Sequence, residues 1–130
     1  MLTDTVATEM SVTGDRGPAA VVMRHIDAFN AQDLDALMAC FTADANWVTG
    51  ADRFQGAAAL RALFAGAFET LSPRLSLQNL LVQGDQVACE LREDYSAQGV
   101  DRTDHIAGFF RVEAGRISAA KIYREGSADV

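Results

Sequence analysis

Two cysteines, two prolines and two histidines are scattered through 130 residues, and neither a long apolar run nor a basic cluster occurs. Each shortage excludes something. Cys40 and Cys89 stand alone, one in a helical and one in a strand pattern. They make neither a disulfide framework nor a zinc motif, and they suit a reducing, cytoplasmic setting. No stretch approaches the ~20 apolar residues that span a bilayer. Eleven Lys+Arg against 18 Asp+Glu give a formal net charge of -7, which a phosphate backbone or an anionic membrane would repel. Nucleic-acid and membrane partners are therefore not expected. Neither are a metal site, for want of ligand spacing, or an organic cofactor. The first residues, Met1 to Gly17, are polar and acidic and read as a flexible leader rather than a signal sequence.

What is present is a single domain over residues 18–127. Pro18 opens a helix whose Val22, Ile26 and Phe29 recur at i, i+4 and i+7. Asn30-Ala31-Gln32 breaks it. Asp33 caps a second helix carrying Leu34, Leu37, Met38 and Phe41, and Thr42 to Asp44 reads as a turn. A short strand at Asn46 to Thr49 follows, then an Ala-rich helix from Gly56 to Ser72-Pro73. From Leu75 the period drops to two, through 75–83, 86–97, 100–113 and 116–124, with two-residue breaks suited to hairpins. Helices first and a meander of strands afterwards predict α+β: a curved antiparallel sheet wrapped around three N-terminal helices.

The second long strand is the most informative. Val87, Cys89, Leu91, Glu93 and Tyr95 share one face, while Glu90, Arg92 and Asp94 share the other. A two-residue loop at Gln98-Gly99 sets opposite residues to Val87 with Phe110, Leu91 with Ile106, Glu93 with Asp104, and Tyr95 with Arg102. Both apolar faces then fall on one side, and the two carboxylates sit ~5 Å apart at their roots. Such a pair on an apolar face is the material of a general acid or base. The alternative is a structural ion-pair cluster, in which Arg102 pairs both acids. His25 is either a satisfied helix histidine or a pocket donor, and Asp27 reaches in from the same helix. Trp47 is either a core aromatic or a wall for a flat apolar ligand, beside Thr49. Phe29, Leu91, Ile106 and Phe110 complete the apolar lining. His105, Phe109 and Tyr123 are placed on the outer sheet face.

The chain resembles the nuclear transport factor 2-like superfamily, and within it the SnoaL-like group of polyketide cyclases and related enzymes. The resemblance rests on Ala28-Phe29-Asn30-Ala31-Gln32-Asp33-Leu34, Phe41-Thr42-Ala43-Asp44-Ala45, Phe54-Gln55-Gly56 and the run Phe109 to Ile117. It implies a cone with a deep apolar pocket (a cystatin-like α+β roll) and a homodimer formed through the outer sheet face. It copies no catalytic set. The ketosteroid isomerase base and oxyanion donors fall on Thr49, His25 and Gly108, none of which matches. The Asp-Arg-Asp set of limonene epoxide hydrolase falls near Glu93, Leu91 and Ile122, where only the carboxylate survives, with Arg102 as a spatial substitute. The helix-one acid of scytalone dehydratase matches Asp27, and another position of that branch falls near Tyr95.

The combined expectation is a cofactor-independent enzyme acting on an apolar metabolite by cyclisation, dehydration, isomerisation or epoxide opening. Glu93 and Asp104 would exchange the proton, while Tyr95 and Arg102 would stabilise negative charge. The competing expectation is a non-catalytic ligand-binding or dimerising accessory protein of the same fold.

Overall fold

The computed structural model describes residues 17–125. The expected leader, apart from Gly17, and residues 126 and 127 of the expected domain lie outside them. Three helices, α1 (Pro18–Ala31), α2 (Leu34–Met38) and α3 (Ala57–Leu71), accompany six strands. These are β1 (Phe41–Thr49), β2 (Asp52–Gln55), β3 (Arg74–Gln83), β4 (Gln86–Ala97), β5 (Val100–Glu113) and β6 (Arg116–Arg124). They form one curved, unclosed sheet in the order β2-β1-β6-β5-β4-β3. The α+β architecture is as expected, but the sheet is mixed: β1 runs parallel to β6, and every other pairing is antiparallel.

Pro18 stands in the first turn of α1, and the helix runs through Asn30 to Ala31, two residues into the expected break. It stops where Gln32 turns left-handed at φ 55 and its N–H returns to the carbonyls of Ala28 and Phe29. Asp33 caps α2 through the Ala36 N–H, as its sequence position predicts. The second helix is shorter than its apolar stripe. The Ile117 N–H donates to the Cys40 carbonyl at 2.7 Å and draws Phe41 into pairing beside Ile117. Phe41 therefore belongs to a strand, and the expected turn at Thr42 to Asp44 is a break in the β1–β6 register between Phe41 and Asn46.

The hydrophobic core lies between the helices and the inner sheet face. Val21, Val22, Leu37, Leu60, Val87 and Ile117 are its most deeply buried large side chains. Asn30 ties the two layers together. Its side-chain amide donates to the Leu75 carbonyl at 2.9 Å, and its Oδ1 accepts the Leu75 N–H at 2.7 Å. The β4–β5 hairpin turns through Gln98 at φ 54 and Gly99 at φ 80, the two left-handed residues that a tight two-residue loop requires.

Candidate functional site

That turn fixes the β4–β5 register, which pairs Leu91 with Ile106, Glu93 with Asp104 and Tyr95 with Arg102. Period-two alternation then carries Val87, Cys89, Leu91 and Glu93 onto the face that holds Ile106, Gly108, Phe110 and Val112, and all eight are buried. Where the inner faces leave the core, they enclose a cavity of about 310 Å³. α1 contributes His25 and Phe29 to its wall, β1 Trp47 and Thr49, and α3 Leu63, Phe64, Ala67 and Leu71. Leu75, Leu91, Ile106, Phe110 and Ile122 add apolar surface, and Glu93, Tyr95, Asp104 and Arg124 form one polar wall. Gly108 leaves room for this arrangement: a Cβ there would meet Phe110 Cε1 at 2.7 Å.

The polar wall is a connected cluster. One nitrogen of Arg124, Nη1, donates to Glu93 Oε1 and to Asp104 Oδ2, each at 2.6 Å. The Tyr95 hydroxyl donates to the same Asp104 Oδ2 at 3.1 Å. The Glu93 and Asp104 side chains are only 11% and 12% exposed, while Arg124 is 41% exposed, so the guanidinium bridges the acids from the solvent side. Burial works against the arginine charge, but the hydrogen bonds and charges of Glu93 and Asp104 outweigh it and raise the Arg124 pKa. Burial, followed by the Asp104 hydrogen bond and charge, pushes the Tyr95 phenol up, so it remains a donor. Two carboxylates and one guanidinium leave the cluster one negative charge.

Arg124 takes the place expected of Arg102. Arg102 does lie across from Tyr95, but Val100 to Thr103 are all exposed, and among the described residues it makes neither a hydrogen bond nor an ion pair. Asp27 is also exposed and absent from the cavity wall. It follows His25 by two residues, about 200° around the helix, so a buried His25 turns Asp27 outward. Local alternation puts Arg124 on the same side as Ile122, but the register that sets it opposite Ile106 depends on a shift in the β5–β6 pairing that no turn announces.

His25 is 2% exposed and packed among aromatic rings. Its ring centroid lies 5.4 Å from Phe41, 5.6 Å from Phe110 and 5.8 Å from Trp47. Burial lowers its pKa to about 4, so it is a neutral imidazole, and its Nδ1 finds no hydrogen-bond partner. Trp47 stands edge-on to Phe64 at 5.2 Å and is both a core aromatic and part of the wall. Cys89 is buried on the inner face, where burial raises its thiol to about 11. Among the described residues, no three His, Cys, Asp or Glu side chains converge as a metal-binding group, and no helix is long and apolar enough to cross a membrane.

A larger depression, about 530 Å³, lies against the outer sheet face and is lined in part by Leu81, Val82, Phe109, Arg111 and Lys121. Its wall contains no carboxylate; its polar members are Asn46, Gln83, Gln86, Arg111 and Lys121. Phe109 and Tyr123 are 53% and 50% exposed and stack edge to face at 5.9 Å, with His105 exposed on the same strand face.

A family model described as a SnoaL-like domain matches residues 22–120. No curated protein matches the chain. Among solved structures, an LEH-like epoxide hydrolase from M. tuberculosis superposes with a TM-score of 0.76 at 18% identity, over 82% of this chain and 81% of that one. A Sinorhizobium meliloti protein provisionally assigned as a polyketide cyclase gives 0.69 at 25% identity, over 79% and 93%. A Catenulispora acidiphila protein with a ketosteroid isomerase-like fold, in complex with trimethylamine, gives 0.74 at 18% identity, over 79% and 83%.

Proposed function

The chain belongs to the SnoaL-like domain family, and from that premise we propose that it is a cofactor-independent acid–base enzyme acting on an apolar metabolite. The observation that carries the reading is the Glu93–Arg124–Asp104 cluster, with Tyr95, on one wall of a cavity whose other lining residues, His25 and Thr49 apart, are apolar. Asp104 Oδ2 accepts from both Arg124 and Tyr95, whereas Glu93 accepts only from Arg124 within the cluster. Glu93 is the less engaged carboxylate and serves as the base. It takes a proton from a bound water or an acidic carbon, and the cluster passes from one negative charge to none. Tyr95 and Arg124 donate to the oxygen on which negative charge develops. Among cyclisation, dehydration, isomerisation and epoxide opening, epoxide opening has the most direct support. Of the carboxylate–arginine–carboxylate set of the epoxide hydrolase branch only the Glu93 carboxylate stands at a matching sequence position, and Arg124 from β6 and Asp104 from β5 offer a comparable set.

The test is turnover of a panel of terpenoid epoxides and aryl ketones, read by ¹⁸O uptake from labelled water and by deuterium exchange. Glu93→Gln should lower turnover by roughly 10²-fold or more. Full turnover in both Glu93→Gln and Asp104→Asn overturns the mechanism.

One observation favours a binding-only reading: Arg124 already pairs with both acids. Ligand binding without turnover of any panel member, unchanged in Glu93→Gln, selects it. A filled cavity would have favoured the accessory reading, and the cavity volume weighs against it.

A second copy of this chain is the proposed occupant of the outer face, supported by the exposed Phe109–Tyr123 pair and by Leu81, which is 65% exposed. Sedimentation should show a dimer that Phe109→Asp converts to monomer; a monomeric native chain would refute it. A cytoplasmic location is proposed with it, consistent with two free buried thiols.

A further inference from the structure

The catalytic reading uses only one end of the cavity. The strand register separates the two ends. Arg124 pairs with Ile106, Ile122 with Gly108, and Ala120 with both Phe110 and Trp47. Phe110 is six residues along β5 from Asp104, but its ring leans back over Gly108, so His25 beside that ring lies about four residues, ~13 Å of strand, from the carboxylate pair. The aromatic end holds Trp47, Phe64 and Phe110 with His25 in their midst, and the Thr49 hydroxyl lies two residues along β1, level with Ile122 between the two ends.

A buried imidazole normally finds a hydrogen-bond partner, because leaving one of its polar atoms unmade costs about 1–3 kcal/mol. His25 is 2% exposed and lies on the cavity wall; its Nδ1 is sealed in without a partner, and Nε2, which has no hydrogen bond among the described residues, is the ring nitrogen left to meet a ligand. Phenylalanine would fill the same aromatic nest without that cost.

We propose that His25 is a ligand-binding residue: its neutral imidazole is a second polar pole, which selects an apolar, elongated ligand bearing an uncharged hydroxyl or carbonyl at the end remote from Glu93. A neutral imidazole can donate from one ring nitrogen and accept at the other, so it serves either group. The charged residues of the cavity wall, Glu93, Asp104 and Arg124, all lie at the other end, so an anionic group beside His25 meets no fixed counter-charge and is disfavoured. The substrate class is thus narrowed to bifunctional neutral molecules with a polar group at each end. One polar group faces the carboxylate–arginine cluster and the other faces His25. This inference rests on the cavity being the ligand site.

Three probes of one ring size separate the poles: naphthalene, 2-naphthol and 2,6-dihydroxynaphthalene, titrated at neutral pH by calorimetry. The first hydroxyl can use the Glu93–Arg124 end, and only the second requires His25. The native chain should bind the diol roughly tenfold more tightly than 2-naphthol, and His25→Phe should bind the two equally. The His25 ring nitrogens, followed by ¹⁵N NMR in the native chain, should shift with the diol and not with naphthalene. That readout stands even where the variant fails to fold. Equal binding of diol and 2-naphthol to the native chain, a preference retained in His25→Phe, or ring resonances indifferent to the diol overturns the inference and leaves the cavity reading intact. Failure of all three probes to bind overturns both.

Discussion

Replacing His25 by phenylalanine should change how stability depends on pH and, near neutrality, should raise stability by up to about 1–3 kcal/mol, the cost of the unpaired Nδ1. In the folded chain, burial holds the imidazole pKa at about 4, against an ordinary 6.5. Below about pH 6.5 the unfolded chain takes up a proton that the folded chain refuses until about pH 4. The unfolded state therefore gains as pH falls through that window. At ~1.4 kcal/mol per pH unit, the displacement removes about 3 kcal/mol of stability between neutrality and about pH 4. That is a large fraction of the 5–15 kcal/mol typical of a domain. Phenylalanine has nothing to titrate and occupies a similar space among Phe29, Phe41, Trp47 and Phe64.

Urea unfolding of both chains at matched pH values isolates the term, because titrating carboxylates contribute to both and cancel in the difference. The native-minus-variant stability should be nearly flat above about pH 7 and fall by about 3 kcal/mol on descent to about pH 4. A flat difference throughout would show that the folded chain accepts the proton at its ordinary pKa. It would refute the account of a closed aromatic nest around His25.

Asn30→Ala removes both hydrogen bonds to the Leu75 backbone and should cost about 2 kcal/mol in chemical unfolding. Gly108→Ala places a methyl group against the Phe110 ring and 3.2 Å from Ile122 Cδ1. It should cost about 1–3 kcal/mol, seen as a lower Tm, and weaken probe binding as the ring moves. Arg124→Met leaves Glu93 and Asp104 facing one another uncompensated. With the guanidinium partly in water, the loss should be about 1–3 kcal/mol, short of a fully buried pair, and turnover should fall with it. Arg102→Met, in contrast, should leave stability unchanged in the same measurement.

The parts of the fold that the sequence made legible are those decided by short-range geometry. The bounds of β4, β5 and β6 follow from two-residue turns, and the pairing of Glu93 with Asp104 follows from one of them. The extent of β1 does not. Phe41 fits the i+7 position of a helical stripe as well as it fits a strand. A hydrogen bond from Ile117, distant in the chain, decides between them. Parallel pairing of β1 with β6 is likewise a long-range outcome that leaves no turn to read.

Arg124 was hidden for a related reason. The Ala114-Gly115 turn pairs Glu113 with Arg116, and continuing that register would set Tyr123 opposite Ile106. The observed partner of Ile106 is Arg124, because the register shifts between Arg111 and Val112, where Ser118 is accommodated as an extra residue of β6. The Ser118 hydroxyl donates to Glu113 Oε2 at 2.8 Å beside the shift. One inserted residue moves every later side chain of β6 one step along its neighbour. The bulge thereby aligns Ile122 and Arg124 with the inward row of β5, and the arginine arrives between two carboxylates whose own positions come from a different hairpin. The acids of the site are thus set by a turn and their counter-charge by a bulge. Deleting Ser118 should do more than weaken the sheet. It should rotate Arg124 away from Glu93 and Asp104 while leaving the β4–β5 pairing in place, a separation that NMR of the two carboxyl groups would report directly.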